Sequence, residues 1–245
     1  MGNNWGSGAL PKGSISVIEG GRGGIALYIH SPHLQSLPVP RLRLTTFGIQ
    51  RGGDAVKVDL QRNRLKQISG ITQLKNLTEL NLCRNEFTDF PTDIRGLHQL
   101  EKLYINQNNI KTIPENVFPS LEKLRFLKLS TNRLEKLPQD MNRCQHLNYL
   151  NLSNNCLRNL DPLVGLSHLK ELYVERNQLA DLPDLLFQNS SLTLFKANGN
   201  PLRKPPQEGI RFIFWDFAGQ EEYYITHHVF ITAQAFVILA INLSR

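Results

Sequence analysis

The chain has 245 residues, of which 40% are hydrophobic and 20% are charged, and this composition excludes disorder along the whole length. Its 28 Lys and Arg residues outnumber its 21 Asp and Glu residues, which gives a net charge of +7. The three cysteines lie far apart and form no C-x-x-C pair, which excludes a disulfide-stapled scaffold and favours reduced thiols in the cytoplasm. No apolar run reaches the ~18 residues of a membrane-spanning helix, so we expect no stable membrane insertion.

The chain begins with a glycine-rich segment. Eight of the first 24 residues are glycine. This composition predicts a flexible lead-in over residues 1–24. The following residues, LYIHSPHLQSLP, have the shape of a degenerate first repeat, with Pro32 in the place where later repeats carry an asparagine.

A repeated pattern, L-x-x-L-x-L-x-x-N-x-L, fills the middle of the chain. Its clear copies are LTELNLCRNEF (77–87), LEKLYINQNNI (100–110), LRFLKLSTNRL (124–134), LNYLNLSNNCL (147–157) and LKELYVERNQL (169–179). Looser copies occupy residues 55–65 and 192–202. Repetition at a fixed period is the sequence signature of a solenoid, in which each unit buries its apolar face against its neighbours. We therefore predict repeats over residues 25–204, the first one degenerate and about seven of them regular.

The asparagines of the pattern are spaced by 22, 23, 24, 23, 22 and 23 residues. They are Asn63, Asn85, Asn108, Asn132, Asn155, Asn177 and Asn200. Each follows an L-x-L strand, whose two leucines share one face because side chains alternate along a strand. We expect each asparagine amide to turn inward and to satisfy backbone groups of the turn, which is a structural role.

The pattern resembles that of the leucine-rich-repeat family. The resemblance implies an α/β fold, a curved solenoid with a parallel sheet on its concave side. The short stretch after each strand leaves room for about one helical or 3₁₀ turn on the convex side.

The residues that flank the inward leucines lie on the concave surface of such a solenoid. Four successive strands present Tyr104, Phe126, Tyr149 and Tyr173 there, with Lys102 and Lys128 between them. Aromatic residues on a rigid concave surface are good interface anchors, so we predict a protein partner on this face. Solvated aromatic residues without a partner are the alternative. Seven cations are mixed with four anions on this face, and this mixture does not favour nucleic-acid binding.

The last stretch of the chain has a different pattern. Two apolar runs, RFIFWDF and AFVILAINL, follow the repeats and flank the loop sequence DFAGQEEYY. A D-x-x-G motif in this setting, preceded by Trp215 and followed by QEEYYITHHVF, closely resembles the Roc (Ras-of-complex-proteins) GTPase domain of the Roco family. Members of that family carry leucine-rich repeats directly before Roc. The resemblance implies that residues 205–245 are a partial Roc segment, a C-terminal fragment of a Ras-like α/β domain.

The resemblance also implies roles for three residues of this segment. Asp216 matches the aspartate that supports Mg²⁺, and Gly219 matches the glycine whose backbone N–H meets the γ-phosphate. Gln220 matches the catalytic position that can orient the attacking water. GTP and Mg²⁺ are thus the ligands of the intact family domain, and the family resemblance allows dimerisation.

The phosphate-binding loop of such a domain is missing. In this family domain the backbone N–H groups and the lysine of the motif G-x-x-x-x-G-K-[ST] hold the phosphates. This motif does not occur between the repeats and the D-x-x-G motif. We therefore expect residues 211–245 to dock against the last repeat or to stay poorly ordered, with no cofactor bound. A shortened isoform or an incomplete gene model is the expected origin.

The function predicted from the sequence is that of a protein–protein interaction scaffold derived from a Roco-type signalling protein. The alternative is a fragment of a GTP-binding and GTP-hydrolysing Roc protein. Some family members carry a serine/threonine kinase domain, but this chain contains no V-A-I-K or H-R-D string. The sequence thus leaves open whether this chain is an enzyme and favours a non-enzymatic chain, whereas members of the parent family are GTPases.

Other side chains offer no predicted site. Cys83 falls at an exposed strand position and Cys156 follows Asn155, and neither has a histidine and an acid in the arrangement of a thiol nucleophile. His227 and His228 are adjacent, so their side chains diverge on a helix and do not predict a metal site.

Overall fold

The computed structural model describes residues 14–20, 24–30, 55–203 and 213–214. Ten strands form one sheet and follow one another in chain order. They are β1 (Ser14–Gly20), β2 (Gly24–His30), β3 (Ala55–Asp59), β4 (Glu79–Asn81), β5 (Lys102–Tyr104), β6 (Phe126–Lys128), β7 (Tyr149–Asn151), β8 (Glu171–Tyr173), β9 (Leu194–Lys196) and β10 (Ile213–Phe214). From β2 to β10 each pair of neighbours is parallel, which confirms the predicted parallel sheet of a repeat solenoid.

The strands stack in a constant register that follows from the L-x-L pattern. Leu103 lies opposite Leu80 on one side and Leu127 on the other. The central residue of each strand from β4 to β8 is fully buried, whereas the residues on either side of it are partly or largely exposed. One face of the sheet therefore closes the core, and the other carries solvent-accessible side chains.

Short 3₁₀ turns lie on the convex side of the core, as the sequence predicts. Within residues 55–203 there are six, at Ile71–Gln73, Thr92–Gly96, Phe118–Ser120, Gln139–Arg143, Asp161–Leu163 and Asp184–Gln188. Each places at least one apolar side chain, such as Ile94 or Met141, against the leucines of the sheet. The core is thus a continuous apolar layer between the sheet and these turns.

A ladder of asparagines ties each repeat to the one before it. The amide of Asn132 donates to the carbonyl oxygens of Leu129, in its own repeat, and of Ile105, in the preceding one, at 3.0 and 3.1 Å. Its Oδ1 accepts a hydrogen bond from the backbone N–H of Ile110 at 3.1 Å. The same three kinds of bond recur at Asn85, Asn108, Asn155, Asn177 and Asn200. The predicted structural role of these residues is confirmed.

The residue just before each of these asparagines has a left-handed backbone conformation. In the third clear copy of the pattern this residue is Thr131, with a φ of 57°, and in the last copy it is Gly199, with a φ of 73°. This conformation turns the chain so that the following asparagine points into the core. It is unfavourable for a β-branched residue such as threonine.

The strand of the predicted first repeat is bonded like the later strands, whereas Pro32 and the rest of that repeat lie outside the described residues. Leu27 and Ile29 on β2 are buried in the places of the two inward leucines. The amide of Asn63 donates to the carbonyl oxygen of Ile29 at 2.8 Å, which is the contact that later asparagines make with their preceding strand. Strand β2 therefore begins the parallel stack.

The structure differs from the predicted lead-in at Ser14–Gly20. These residues form β1, which pairs antiparallel with β2 and places Ile15 opposite Ile29. The sequence SISVIEG is rich in β-branched residues, which favour strands. Because β1 covers the free edge of β2, it protects the first parallel strand from pairing with another chain.

At the other end of the sheet, Ile213–Phe214 add β10 next to β9. The residues for which the Roc resemblance implies a role, Asp216, Gly219 and Gln220, lie outside the described residues. Within the part of the chain that the structure describes, no helix has the length and apolar character needed to cross a membrane.

Candidate functional site

Four aromatic side chains form a continuous row across the concave surface, which we call the aromatic row: Tyr104, Phe126, Tyr149 and Tyr173. The ring centroids of Tyr104 and Phe126 are 4.9 Å apart, those of Phe126 and Tyr149 are 4.1 Å apart, and those of Tyr149 and Tyr173 are 5.4 Å apart. All four side chains are partly exposed. The row therefore offers an apolar surface that spans four successive strands, β5 to β8.

The spacing of the row follows from strand register. Phe126 and Tyr149 are direct partners on β6 and β7, so their rings lie face to face with an interplanar angle of 7°. Tyr104 lies two residues after Lys102, the direct partner of Phe126, and Tyr173 lies two residues after Glu171, the direct partner of Tyr149. Each is therefore a diagonal neighbour of the central pair. Diagonal neighbours in a sheet remain within reach of aromatic side chains.

The C-terminal end of the row is polar and partly charged. The Tyr173 hydroxyl donates to a carboxylate oxygen of Glu171 at 2.9 Å. Burial, followed by this hydrogen bond and the charge of Glu171, raises the pKa of Tyr173 well above its ordinary value. The ammonium group of Lys196 lies 5.6 Å from the centre of the Tyr173 ring, within the range of a cation–π contact.

The two lysines predicted at the site have different neighbours. The ammonium group of Lys102 lies 3.9 Å from a carboxylate oxygen of Glu79, which also pairs with Lys57 at 3.4 Å. Within residues 55–203, Lys128 has no carboxylate within 4.0 Å. Lys128 therefore keeps its charge available on the concave surface, whereas Lys102 shares a carboxylate with a second lysine.

A cavity of about 510 Å³ opens beside Tyr104, where the carboxyl ends of β3 to β6 meet the following turns. Polar and cationic side chains dominate its lining, and they come from four successive repeats. The lining residues are Gln61, Arg62, Asn81, Cys83, Arg84, Tyr104, Asn106, Gln107, Lys128, Ser130 and Thr131. We call this cavity the cationic pocket. Arg62 and Arg84 are among the seven cations that the sequence predicted on the concave face, but the sequence did not predict that they share a pocket with Lys128.

Two of the three cysteines, Cys83 and Cys144, are buried. Cys83 is only 8% exposed, which corrects the exposed position that its place in the repeat predicted, because its side chain packs at the strand end and its Sγ meets Asn106 Oδ1 at 2.6 Å. Burial raises the pKa of Cys83 to about 11 and that of Cys144 to about 12. Among the residues that the structure describes, no cluster of three His, Cys, Asp or Glu side chains could hold a metal ion.

The arrangement of the concave surface is that of a recognition surface. Rigid, half-buried aromatic rings provide contact area at low entropic cost, and the neighbouring cations provide charge. The predicted site residues on β5 to β8 are brought together as one surface. The three tail residues lie outside the described part of the chain.

Comparison with known proteins places the repeats in a family. The family model described as leucine rich repeat matches residues 56–110, 75–134 and 129–179. Together these matches cover residues 56–179, which are 124 of the 245 residues and just over half of the chain.

Individual relatives have the same kind of repeat. Lumican of Gallus gallus is 32% identical over 165 residues, which cover 62% of this chain and 47% of lumican. The human volume-regulated anion channel subunit LRRC8A is 36% identical over 162 residues, which cover 63% of this chain and 17% of that protein. This chain thus spans less than half of the length of either curated relative.

A solved structure supports the fold. The internalin C2 of Listeria monocytogenes superposes with a TM-score of 0.62 at 20% identity, and the match covers 78% of this chain and 80% of the internalin. At that identity the likeness concerns the fold alone. Taken with the family match and the asparagine ladder, it shows that the chain belongs to the leucine-rich-repeat family.

Proposed function

We propose that this chain is a protein–protein interaction scaffold that binds a segment of another protein on its concave surface. The observation that carries the proposal is the aromatic row, in which four partly exposed rings lie on successive strands and the centroids of neighbouring rings are 4.1 to 5.4 Å apart. Tyrosine and other aromatic residues in rigid, partly desolvated positions supply much of the binding energy of protein interfaces. The surrounding sheet fixes their positions before a partner arrives, so little conformational entropy is lost on binding.

Selection from a displayed library of random 12-residue peptides tests this function on the full chain. Peptides enriched on the protein are then synthesised and titrated by fluorescence anisotropy. Simultaneous replacement of two central rings, F126A with Y149A, is expected to weaken binding more than tenfold. The matched control is L185A, which removes an apolar side chain that is 57% exposed on a convex 3₁₀ turn.

Folding of each variant is checked by its melting temperature. If the double variant does not fold, Y104A replaces it, because this ring lies at the end of the row. Peptides that bind the F126A/Y149A variant as tightly as the parent protein would show that the aromatic row is not the binding surface.

We further propose that residues 205–245 derive from the Roc domain of a Roco-type GTPase, and that this chain is a cytoplasmic protein without GTPase activity of its own. The motif DFAGQEEYY between two apolar runs supports this origin, and the missing P-loop string argues against nucleotide binding by the chain. The second candidate function is that of a fragment of a GTP-binding Roc protein.

Titration of the full chain with a fluorescent GTP analogue and Mg²⁺ separates the two candidates. We expect no saturable binding at micromolar protein. Tight binding that is lost on replacement of Asp216 by Ala would favour the GTP-binding alternative. Sequencing of the transcript across codons 205–212 provides an independent test, because an intervening exon that encodes G-x-x-x-x-G-K-[ST] would identify the parent as a GTPase.

A further inference from the structure

The cationic pocket carries three positive charges. Arg62, Arg84 and Lys128 line it, and none of the described residues that line it is acidic. Nor does any of these three cations lie within 4.0 Å of a carboxylate in the described part of the chain. The guanidinium of Arg84 donates to the neutral side chain of Gln107 at 2.6 Å. The pocket therefore collects positive charge that the described residues do not neutralise.

The nearest acidic residues of the same sheet are already engaged. Glu79 is shared between Lys57 and Lys102. One carboxylate oxygen of Asp59 accepts from the backbone N–H of Gln61 at 2.9 Å, and the other accepts from the amide of Asn81 at 3.1 Å. Asp59 lies beside the pocket, since its partners Gln61 and Asn81 line it, but neither Asp59 nor Glu79 lies within 4.0 Å of a pocket cation.

The backbone holds the two arginines in equivalent places. Arg62 and Arg84 each precede the asparagine of their repeat, and each has a left-handed backbone with a φ of 57° and 55°. The backbone N–H of Arg62 donates to the carbonyl oxygen of Cys83 in the next repeat. Because adjacent strands of a sheet lie about 4.8 Å apart, two side chains repeated in this way can contact one anionic group together.

Tyr104 belongs both to the cationic pocket and to the aromatic row. The pocket and the row are therefore adjoining parts of one surface, with the pocket towards the N-terminal repeats and the row towards the C-terminal ones. Arg84 lies three residues beyond the end of β4, and across the strands alone it is separated from Tyr149 on β7 by three strand spacings, or roughly 14 Å. An extended peptide therefore needs at least about four residues to reach from one to the other, since each residue spans about 3.3 Å.

We propose that the partner segment is an extended acidic peptide, whose aspartate or glutamate side chain binds in the cationic pocket while an apolar side chain about four or more residues away packs on the aromatic row. This inference rests on the proposed function and adds the chemistry and spacing of the ligand. The peptide crosses the strands from β4 to β7. Electrostatic complementarity selects acidic over basic segments and speeds association.

The peptides selected on the full chain provide the test. We expect enriched sequences to carry Asp or Glu about four or more residues from Phe, Tyr, Trp or Leu, and to contain few Lys or Arg. For the best synthetic peptide, replacement of the three pocket cations in the R62Q/R84Q/K128Q variant is expected to weaken binding about tenfold. Raising the salt concentration from 0.05 M to 0.5 M is expected to weaken binding to the parent protein but to have little effect on the variant.

A matched control exists on the same protein. Arg158 also donates from its Nε to a glutamine of the next repeat, Gln178, at 3.1 Å, but it does not line the pocket. R158Q should therefore bind the peptide as the parent does. R84Q alone, which leaves two pocket cations in place, serves if the triple variant has a lowered melting temperature.

The outcomes separate this inference from the function on which it rests. Enriched peptides that need Phe126 and Tyr149 but show no preference for acidic residues would overturn the inference and leave the proposed function standing. An acidic preference that survives in the R62Q/R84Q/K128Q variant would also overturn it. No enriched peptide at all would count against both. Equal binding of a fluorescent single-stranded oligonucleotide and the acidic peptide would overturn the assignment of a peptide ligand.

Discussion

The rings of Phe126 and Tyr149 stack face to face, with centroids 4.1 Å apart and planes inclined by 7°. The two residues are direct partners on adjacent parallel strands, and both side chains are partly exposed on the concave surface. Each ring thus covers one face of the other, and their outer edges remain available to a partner. The pair contributes both to the stability of the sheet and to the surface that it presents.

A double-mutant cycle between Phe126 and Tyr149 measures this contact. We expect F126A and Y149A to be coupled by about 0.5–1.5 kcal/mol in the free energy of unfolding, the range for aromatic pairs. Urea denaturation of the parent, the two single variants and the double variant gives this value. As a control, Y149A is combined with K123A, whose ammonium group contacts Gln99 outside the aromatic row. That cycle should give a coupling near zero, and a coupling near zero for the ring pair as well would contradict the prediction.

Removal of one asparagine from the ladder should be costly. N132A leaves the carbonyl oxygens of Ile105 and Leu129 and the N–H of Ile110 without the partner that Asn132 provides. The carbonyl oxygens of Ile105 and Leu129 keep a second donor, from Asn108 and Asn155, so only the Ile110 N–H is left without a hydrogen bond. A buried polar group in that state costs about 1–3 kcal/mol, and a loss of that size is expected in urea denaturation. N109A is the control, because the Asn109 side chain makes no hydrogen bond to the described residues, and it should cost less than about 0.5 kcal/mol. Equal costs for the two variants would show that the ladder is not the cause.

Replacement of Thr131 by glycine should stabilise the protein. Thr131 has a φ of 57°, which disfavours a β-branched side chain, whereas Gly199 holds the corresponding place in the last copy of the pattern. Removing the Cβ relieves this strain, but glycine has greater conformational entropy in the unfolded chain, which offsets part of the effect. We therefore expect the free energy of unfolding to increase by about 0.5–1 kcal/mol. The control is T88G, at an exposed threonine without a positive φ, which should destabilise the protein. Thermal denaturation of both variants checks the sign, and a lower melting temperature for T131G would refute the explanation.

The repeat architecture could be predicted from the sequence because its determinants are local and recur. The L-x-L pair and the asparagine of each repeat define a strand, a turn and an inward amide without reference to distant residues. Strand β1 could not be predicted in this way, because it carries no repeat motif and depends on pairing with β2. The left-handed backbone of Thr131 could not be predicted from the sequence either, because the geometry of the repeat imposes it.

The sequence predicted which residues form the candidate site, but it did not predict how their side chains are arranged. Alternation placed Tyr104, Phe126 and Tyr149 on one face, but their ring distances depend on side-chain rotamers and on register across strands. The sequence predicted seven cations and four anions on the concave face but not how they are grouped. In the structure, Glu79 is shared by two lysines, while Arg84 and Lys128 meet in the cationic pocket.

Thiol reactivity should distinguish the three cysteines. Cys83 and Cys144 are buried, with pKa values raised to about 11 and about 12 by burial, so few of their thiols are ionised at pH 8. Cys156 is partly exposed. The native protein should therefore react rapidly with an aromatic disulfide reagent at Cys156 alone, while guanidinium exposes all three thiols. The C156S variant should lose the rapid phase, and a rapid phase that persists in C156S would contradict the burial of the other two.

A pair of carboxylates on the convex side should make stability depend on pH. Glu115 accepts hydrogen bonds from the backbone N–H groups of Gln139 and Asp140, at 2.9 and 3.2 Å, and the first of these holds its pKa below the usual range. Asp140 accepts from the backbone N–H of Asn116 at 2.6 Å. Burial, followed by contact with Glu115, raises the pKa of Asp140 above its ordinary value of 3.8.

Replacement of Asp140 by Asn should therefore stabilise the protein at neutral pH. The pKa of Asp140 is higher in the folded than in the unfolded protein, so the folded state holds the Asp140 proton more tightly. The folded state therefore loses stability as the pH rises from about 3.8, the ordinary pKa, through the raised pKa of folded Asp140. Asparagine can still accept from Asn116 but carries no charge. The gain should be below about 1 kcal/mol, because Glu115 is exposed and water screens its charge. It should disappear near pH 3, where Asp140 is protonated, whereas the stabilisation by ionised Glu115 is lost in both proteins as the pH falls. Melting temperatures at pH 7 and pH 3 measure the difference. D93N is the control. Asp93 holds the same position in its repeat as Asp140, but the position that corresponds to Glu115 is occupied by Gly70, so Asp93 has no such carboxylate partner. An equal gain for D93N would show that the carboxylate pair is not responsible.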